Sequence, residues 1–165
     1  MSPSARLVLR AKSLDDTHEV AAAVAGLARQ GDIILIAGEM GAGKTAFAQG
    51  FGRALGVTEP ITSPTFTLVH SYETAGVTLH HADLYRLDQL AEVADLGLAE
   101  LAEHHGIVLV EWGDVVESTF GEHLIVELSA ADDDEEARTL TIGAVGPGWS
   151  RRWSTLCDAV RGWAG

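Results

Sequence analysis

Asparagine is absent from this chain, and lysine occurs only at positions 12 and 44. The first absence removes any guanine-reading N-K-x-D motif, and no D-x-x-G follows the glycine-rich loop described below, so a Ras-type GTPase is excluded. The second, with 24 acids against 11 bases and a formal charge of −13, leaves no clustered cations to displace counterions from a phosphate backbone. Tight direct binding of DNA or RNA is therefore not expected. One cysteine, Cys157, allows no internal disulfide and no cysteine-based zinc cluster, as suits a reducing compartment. No apolar run approaches the ~18 residues of a membrane span, and the stretch from Met1 to Arg10 has no signal-peptide core. A cytoplasmic protein without a membrane partner is expected. The adjacent pairs His80-His81 and His104-His105 diverge on a strand or a helix, which argues against a metal site at either.

What is present suits a packed domain. The 165 residues are 47% hydrophobic with mean hydropathy +0.14, enough for one domain spanning residues 1–165.

The chain is organised around Gly38-Glu39-Met40-Gly41-Ala42-Gly43-Lys44-Thr45, which fits G-x-x-x-x-G-K-[ST] at every position. The apolar run from Asp32 to Ala37 precedes it, as in a parallel strand buried on both faces, and Lys44 to Leu55 reads as a helix stopped by Gly56. Strand, glycine loop and helix start together make a phosphate-binding P-loop: glycines let backbone N–H groups turn inward, and the helix end adds partial positive charge. A nucleoside triphosphate suits that concavity. Lys44 would reach its β and γ phosphates and the Thr45 hydroxyl would ligate Mg²⁺.

Around this centre the pattern alternates strands and helices. Leu7 to Ala11 reads as a first strand, and Ser13 with Asp16 forms a capping-box pattern opening a helix whose apolar stripe is Val20, Val24, Leu27 and Ala28. The turn from Ser13 to Thr17 is either a plain helix cap or an adenine contact. The hydroxyl-rich segment from Thr58 to Thr67 leads into a strand from Phe66 to Tyr72. There Thr65, held by Pro64, is either part of a rigid turn or a γ-phosphate switch. Val77 to Asp83 is the next strand, and Asp83 falls where ligands gather if that strand runs parallel to the P-loop strand. Two short helices are expected over 87–96 and 98–104.

Ile107 to Glu111 is an apolar strand ending in an acid, the form of a Walker B element, with Glu111 holding Mg²⁺ opposite Thr45. Trp112 either covers the site, stacks on a base or packs in the core. Strands from His123 to Ala130 and Ala137 to Val145 flank five acids, 132–136, expected to be a solvated hairpin tip. Trp149, Trp153, Leu156, Val160 and Trp163 recur at helical spacing along a terminal helix, as core packing or as a partner groove. The expected architecture is an α/β, P-loop NTPase-like three-layer sandwich, with a mixed, mostly parallel sheet, a C-terminal hairpin and a terminal helix.

Four blocks in series, Gly38 to Thr45, Ser63-Pro64-Thr65-Phe66-Thr67-Leu68-Val69, His81-Ala82-Asp83-Leu84-Tyr85-Arg86-Leu87 and Val110-Glu111-Trp112, resemble the signatures of the TsaE (YjeE-like) family. The resemblance extends from about Ser13 to Arg138. It implies an ATPase subunit of weak intrinsic activity, needed for threonylcarbamoyladenosine formation at tRNA adenosine 37 with TsaB and TsaD partners, and touching tRNA through that complex. It further implies that Lys44 and the loop amides hold ATP phosphates, that Thr45 and Glu111 hold Mg²⁺, and that Thr65 and Asp83 lie on the γ-phosphate side. Trp112 matches a tryptophan after the Walker B acid. The acidic run and the tryptophan-rich terminal helix depart from the family's pattern, and Arg138 is the one base near the acidic run. From another class, a P-loop kinase phosphorylating a small metabolite is the alternative, and a nucleotide-sensing module with negligible turnover is a third.

Overall fold

The structure, a computed structural model, describes residues 4–39, 41–62, 69–84, 106–112 and 121–164. The first elements are β1 (Ala5–Ala11), α1 (Leu14–Leu27), β2 (Ile33–Ala37) and α2 (Lys44–Leu55). They are followed by β3 (Val69–Glu73), β4 (Thr78–Leu84), β5 (Gly106–Trp112), β6 (His123–Ala131) and β7 (Asp134–Val145). The chain ends in α3 (Pro147–Ala159) and a 3₁₀ turn, Arg161–Trp163. The helices expected over 87–96 and 98–104 lie outside the described residues.

Local chemistry sets the boundaries. At α1, the Asp16 backbone N–H donates to Ser13 Oγ at 3.2 Å while Asp16 Oδ2 accepts from the Lys12 N–H at 2.9 Å. This is the reciprocal cap the sequence suggests, with the carboxylate reaching one residue further back. The helix ends at Leu27, and Gly31 (φ 97°) turns the chain into β2. α2 ends as its sequence requires, on Gly56 at φ 106°.

The strand order is β1-β7-β6-β2-β5-β4-β3. The central strands β6, β2, β5 and β4 are mutually parallel, so β4 does run with the P-loop strand. Antiparallel strands close both sides, β7 and β1 beyond β6, and β3 beyond β4. All of β2 is buried, as a central parallel strand of Ile and Leu should be.

Helices α1, α2 and α3 share one face of the sheet, where Val24, Ile34, Phe47, Phe51, Leu109, Leu124, Leu140 and Trp149 belong to one buried cluster. The crossing of α1 over α2 depends on Gly50, since a Cβ there would stand 2.7 Å from both Cα and O of His18. Along α3 and the turn that follows it, Trp149, Leu156 and Val160 are buried and Trp153 and Trp163 pack against the cluster, so the terminal aromatic stripe is core.

The acidic run is not wholly a hairpin tip. Only Asp132 and Asp133 form the turn, and β7 already begins at Asp134. Register slips between Ala130, paired with Arg138, and Ala131, paired with Asp134, leaving Glu135, Glu136 and Ala137 as extra residues on β7. Such a bulge bends the strand and re-aims its side chains.

Candidate functional site

The loop leaving β2 turns on glycines with positive φ: Gly38 at 153°, Gly41 at 83° and Gly43 at 104°. Any Cβ at Gly38 would sit 2.6 Å from the Leu128 carbonyl oxygen, so a glycine is needed where the loop presses against β6. Gly43 is the N-cap of α2, makes no side-chain cap, and is followed by a first turn without an acid. The helix start is thereby left to its backbone N–H groups and partial positive charge, the anion-binding arrangement that the sequence pattern calls for.

Two cations frame the loop. Lys44 Nζ donates to the Gly38 carbonyl at 2.7 Å, so its ammonium lies across its own loop. Arg138, on β7, donates through Nε to Ala42 O at 3.2 Å and through Nη2 to Gly41 O at 3.4 Å, while Nη1 donates to Glu135 O at 2.6 Å. Because C=O and N–H of one peptide unit point in opposite directions, holding the Ala42 carbonyl turns the Gly43 N–H away from Arg138.

On the other side, β5 runs parallel to β2 with Glu111 opposite Ile36, and β4 runs parallel to β5 with Asp83 opposite Glu111. Strand alternation puts Leu79, His81 and Asp83 on the helix-bearing face, beside Leu109 and Glu111. Glu111 is 2% exposed; its Oε1 accepts from Thr45 Oγ1 at 3.1 Å and its Oε2 from His81 Nε2. His81 is fully buried, and its Nδ1 meets no partner among the described residues. Asp83 is half-buried.

The structure thus brings Lys44, Thr45, Glu111 and Asp83 to the carboxyl ends of β2, β5 and β4, around Gly38, Glu39, Gly41, Ala42 and Gly43. Met40, Thr65 and the Trp112 side chain lie outside the described residues. Among the described residues no group of three or more His, Cys, Asp or Glu side chains is placed to hold a metal alone. The Thr45 hydroxyl and Glu111 carboxylate are a hard-oxygen pair that could hold Mg²⁺, an ion usually bound by one or two protein oxygens, with phosphates and water completing its shell.

Two cavities flank the loop. One of about 420 Å³ lies on the α1 side and includes Ser13, Leu14, Thr17, Gly43, Ala46 and Arg138, with Glu135 and Glu136 in its wall. The bulge in β7 brings that acidic pair here. The other, of about 490 Å³, opens on the far face of the sheet between Glu39 on the loop and Glu127, Ser129 and Thr141 on β6 and β7.

Sequence reasoning missed His81 as a site residue, although it stands two residues before Asp83 and so must share its face. The Arg138 reach to the loop, across 96 positions, had no such local signal.

Residues 11–140 match the model of a family described as threonylcarbamoyl adenosine biosynthesis protein TsaE. The chain belongs to the TsaE family. The tRNA threonylcarbamoyladenosine biosynthesis protein TsaE of Bacillus subtilis is 37% identical over 156 residues, 94% of each chain. Its namesake in Streptomyces coelicolor is 37% identical over 139 residues, covering 81% of this chain and 93% of the relative. Among solved structures, the crystal structure of Bacillus subtilis YdiB is similar with a TM-score of 0.75 at 32% identity, covering 95% of both chains. The TsaE match takes in the P-loop, β4, β5 and Arg138, and stops before α3.

Proposed function

We propose that this chain is a weak, Mg²⁺-dependent ATPase of the cytoplasm. In this reading it serves as the nucleotide-driven subunit of tRNA threonylcarbamoyladenosine formation and acts with TsaB-like and TsaD-like proteins. The observation that carries the reading is the contact of Thr45 Oγ1 with Glu111 Oε1 at 3.1 Å, directly below a glycine loop whose helix start has no side-chain cap. An ordinary glycine-rich turn has no reason to bury a carboxylate against the residue after its lysine.

Each residue has a task in that reading. Lys44 exchanges the Gly38 carbonyl for phosphate oxygens, and the loop amides and α2 start hold the β phosphate. Thr45 and Glu111 hold Mg²⁺, which when bound would neutralise phosphate charge. Asp83, half-buried beside Glu111, is suited to orient water. Ser13, Leu14 and Thr17, in the cavity beside Gly43 and Ala46, flank room for the base and ribose. With a formal charge of −13, the chain depends on its partners to hold tRNA.

A purified reconstitution lacking this chain, containing it, or containing Lys44→Ala tests the reading, scored by modified adenosine and by ADP release. Modification and turnover are expected with the wild type alone, and turnover is expected to rise with the partners. Equal modification in all three would overturn the assignment, and phosphate transferred to a small hydroxylated metabolite would make the chain a kinase. Lys44→Ala should also lose measurable ATP binding by calorimetry, since the only other lysine in the sequence is Lys12.

A further inference from the structure

We infer that His81 is a positioning residue for the metal-holding carboxylate: it anchors one oxygen of Glu111 so that the other faces Thr45. This rests on the proposed nucleotide reading and adds a residue to it. Glu111 is buried at the end of β5, and a buried carboxylate with one oxygen unpaired would rotate or carry a desolvation cost. The two oxygens have different partners: Oε2 is taken by His81 Nε2 and Oε1 by the Thr45 hydroxyl. A carboxylate only accepts, so the bond requires the hydrogen on Nε2, and Nδ1, with no partner among the described residues, makes no competing demand on the tautomer. The imidazole is itself immobile, being fully buried on a strand between two paired neighbours, β3 and β5.

The adjacent histidine shows that the pairing is specific to position. His80 points to the opposite face, where its Nδ1 bonds Ser71 Oγ at 2.7 Å, away from Glu111. Outer partners of metal ligands fix ligand orientation, and their loss typically lowers metal affinity or activity by about 10–100-fold.

The test compares His81→Gln, whose amide nitrogen can take the place of Nε2, with His81→Asn, whose shorter amide occupies the place of Nδ1 and cannot reach Glu111. Three quantities are measured in each: ADP affinity without metal, Mn²⁺ affinity of the ADP complex by electron paramagnetic resonance, and ATP turnover. His81→Asn is expected to lower Mn²⁺ affinity and kcat by about 10–100-fold with metal-free ADP affinity unchanged, and His81→Gln to restore most of both. A folded His81→Asn protein with wild-type Mn²⁺ affinity and kcat would overturn the role, as would equal impairment in His81→Gln. Failure of the underlying reading looks different: wild type and Lys44→Ala would then bind ADP equally, whatever stands at 81.

Discussion

Two largely buried polar pairs, each built on a carboxylate, lie at opposite ends of the same sheet, and they are built differently. At the amino end of β2, Arg152 of α3 forms a fork with Asp32, Nη1 to Oδ2 at 2.7 Å and Nη2 to Oδ1 at 2.9 Å. The same guanidinium donates to Leu27 O at 2.8 Å and Gly148 O at 3.0 Å, and it stacks 4.0 Å over the Trp149 ring. Its two terminal nitrogens and Nε all have acceptors, and one group joins α1, β2 and α3. At the carboxyl end, Glu111 and His81 are more deeply buried but less fully satisfied: an imidazole nitrogen has no partner among the described residues, and Lys44 nearby rests on a carbonyl of its own loop. The Arg152–Asp32 pair ties three elements together, whereas at the other end the Lys44–Gly38 and Thr45–Glu111 contacts are the ones a nucleotide and its metal would exchange in the proposed reading. Buried polar networks are stabilising when complete, and incompleteness is tolerated where chemistry uses it.

The largest effect should come from breaking the complete pair. Arg152→Leu would leave the largely buried Asp32 carboxylate with the Arg29 N–H at 2.6 Å but without its charged partner, at an expected cost of about 3 kcal/mol in urea unfolding. Replacing both, Arg152→Met with Asp32→Leu, should recover much of that loss, because a well-packed apolar pair avoids desolvating two charges. If the single substitution unfolds within about 1 kcal/mol of wild type, Arg152 is a surface pair in effect and the contrast between the two ends fails. ATP turnover of the folded Arg152→Leu protein should be unaltered.

The opposite signature is expected of Glu111→Gln. The amide can still accept from His81 and bond the Thr45 hydroxyl, so stability should stay within about 1 kcal/mol of wild type. In the proposed reading turnover should fall by about 100-fold or more, as the charge that would face Mg²⁺ is lost, with metal-free nucleotide affinity retained. A Glu111→Gln enzyme with unchanged hydrolysis would shift the metal role to Asp83. One much less stable and equally active would make Glu111 a structural carboxylate.

What could be read in advance divides along the same line. The P-loop, its strand and its capped helix were legible because each signal is local: an apolar run, glycines where φ must be positive, a terminating glycine. Glu111 and Asp83 were legible because a strand end places an acid without knowledge of the rest of the fold. Arg152–Asp32 joins residues 120 positions apart, and Arg138 meets the loop across 96, and nothing local marks either pairing. All five acids of the run are exposed, as expected, and only the extent of the tip was misjudged, for a related reason. Its composition favours solvent, but the register slip at Ala131 is set by pairing with β6, and that slip turns Glu135 and Glu136 to the cavity wall.

The smallest effect concerns His80, which shares a strand with His81 but serves neither end. It is 8% exposed and bonded to Ser71, and burial holds its pKa below the ordinary 6.5, because desolvation disfavours the imidazolium. With the folded value the lower one, the unfolded chain binds more protons as pH falls below about 6.5. The contribution of His80 to stability is therefore complete above that pH and declines below it, until the folded imidazole is itself protonated. His80→Gln keeps a hydrogen-bonding group for Ser71 and does not titrate in this range. The difference in urea midpoint, wild type minus His80→Gln, should accordingly decrease from pH 7.5 to pH 5.5, while titrations elsewhere, common to both proteins, cancel. Parallel pH curves would mean that His80 is hydrated as freely in the folded protein as in the unfolded chain, and that the far face of β4 is more open than the burial of His80 and Ala82 indicates.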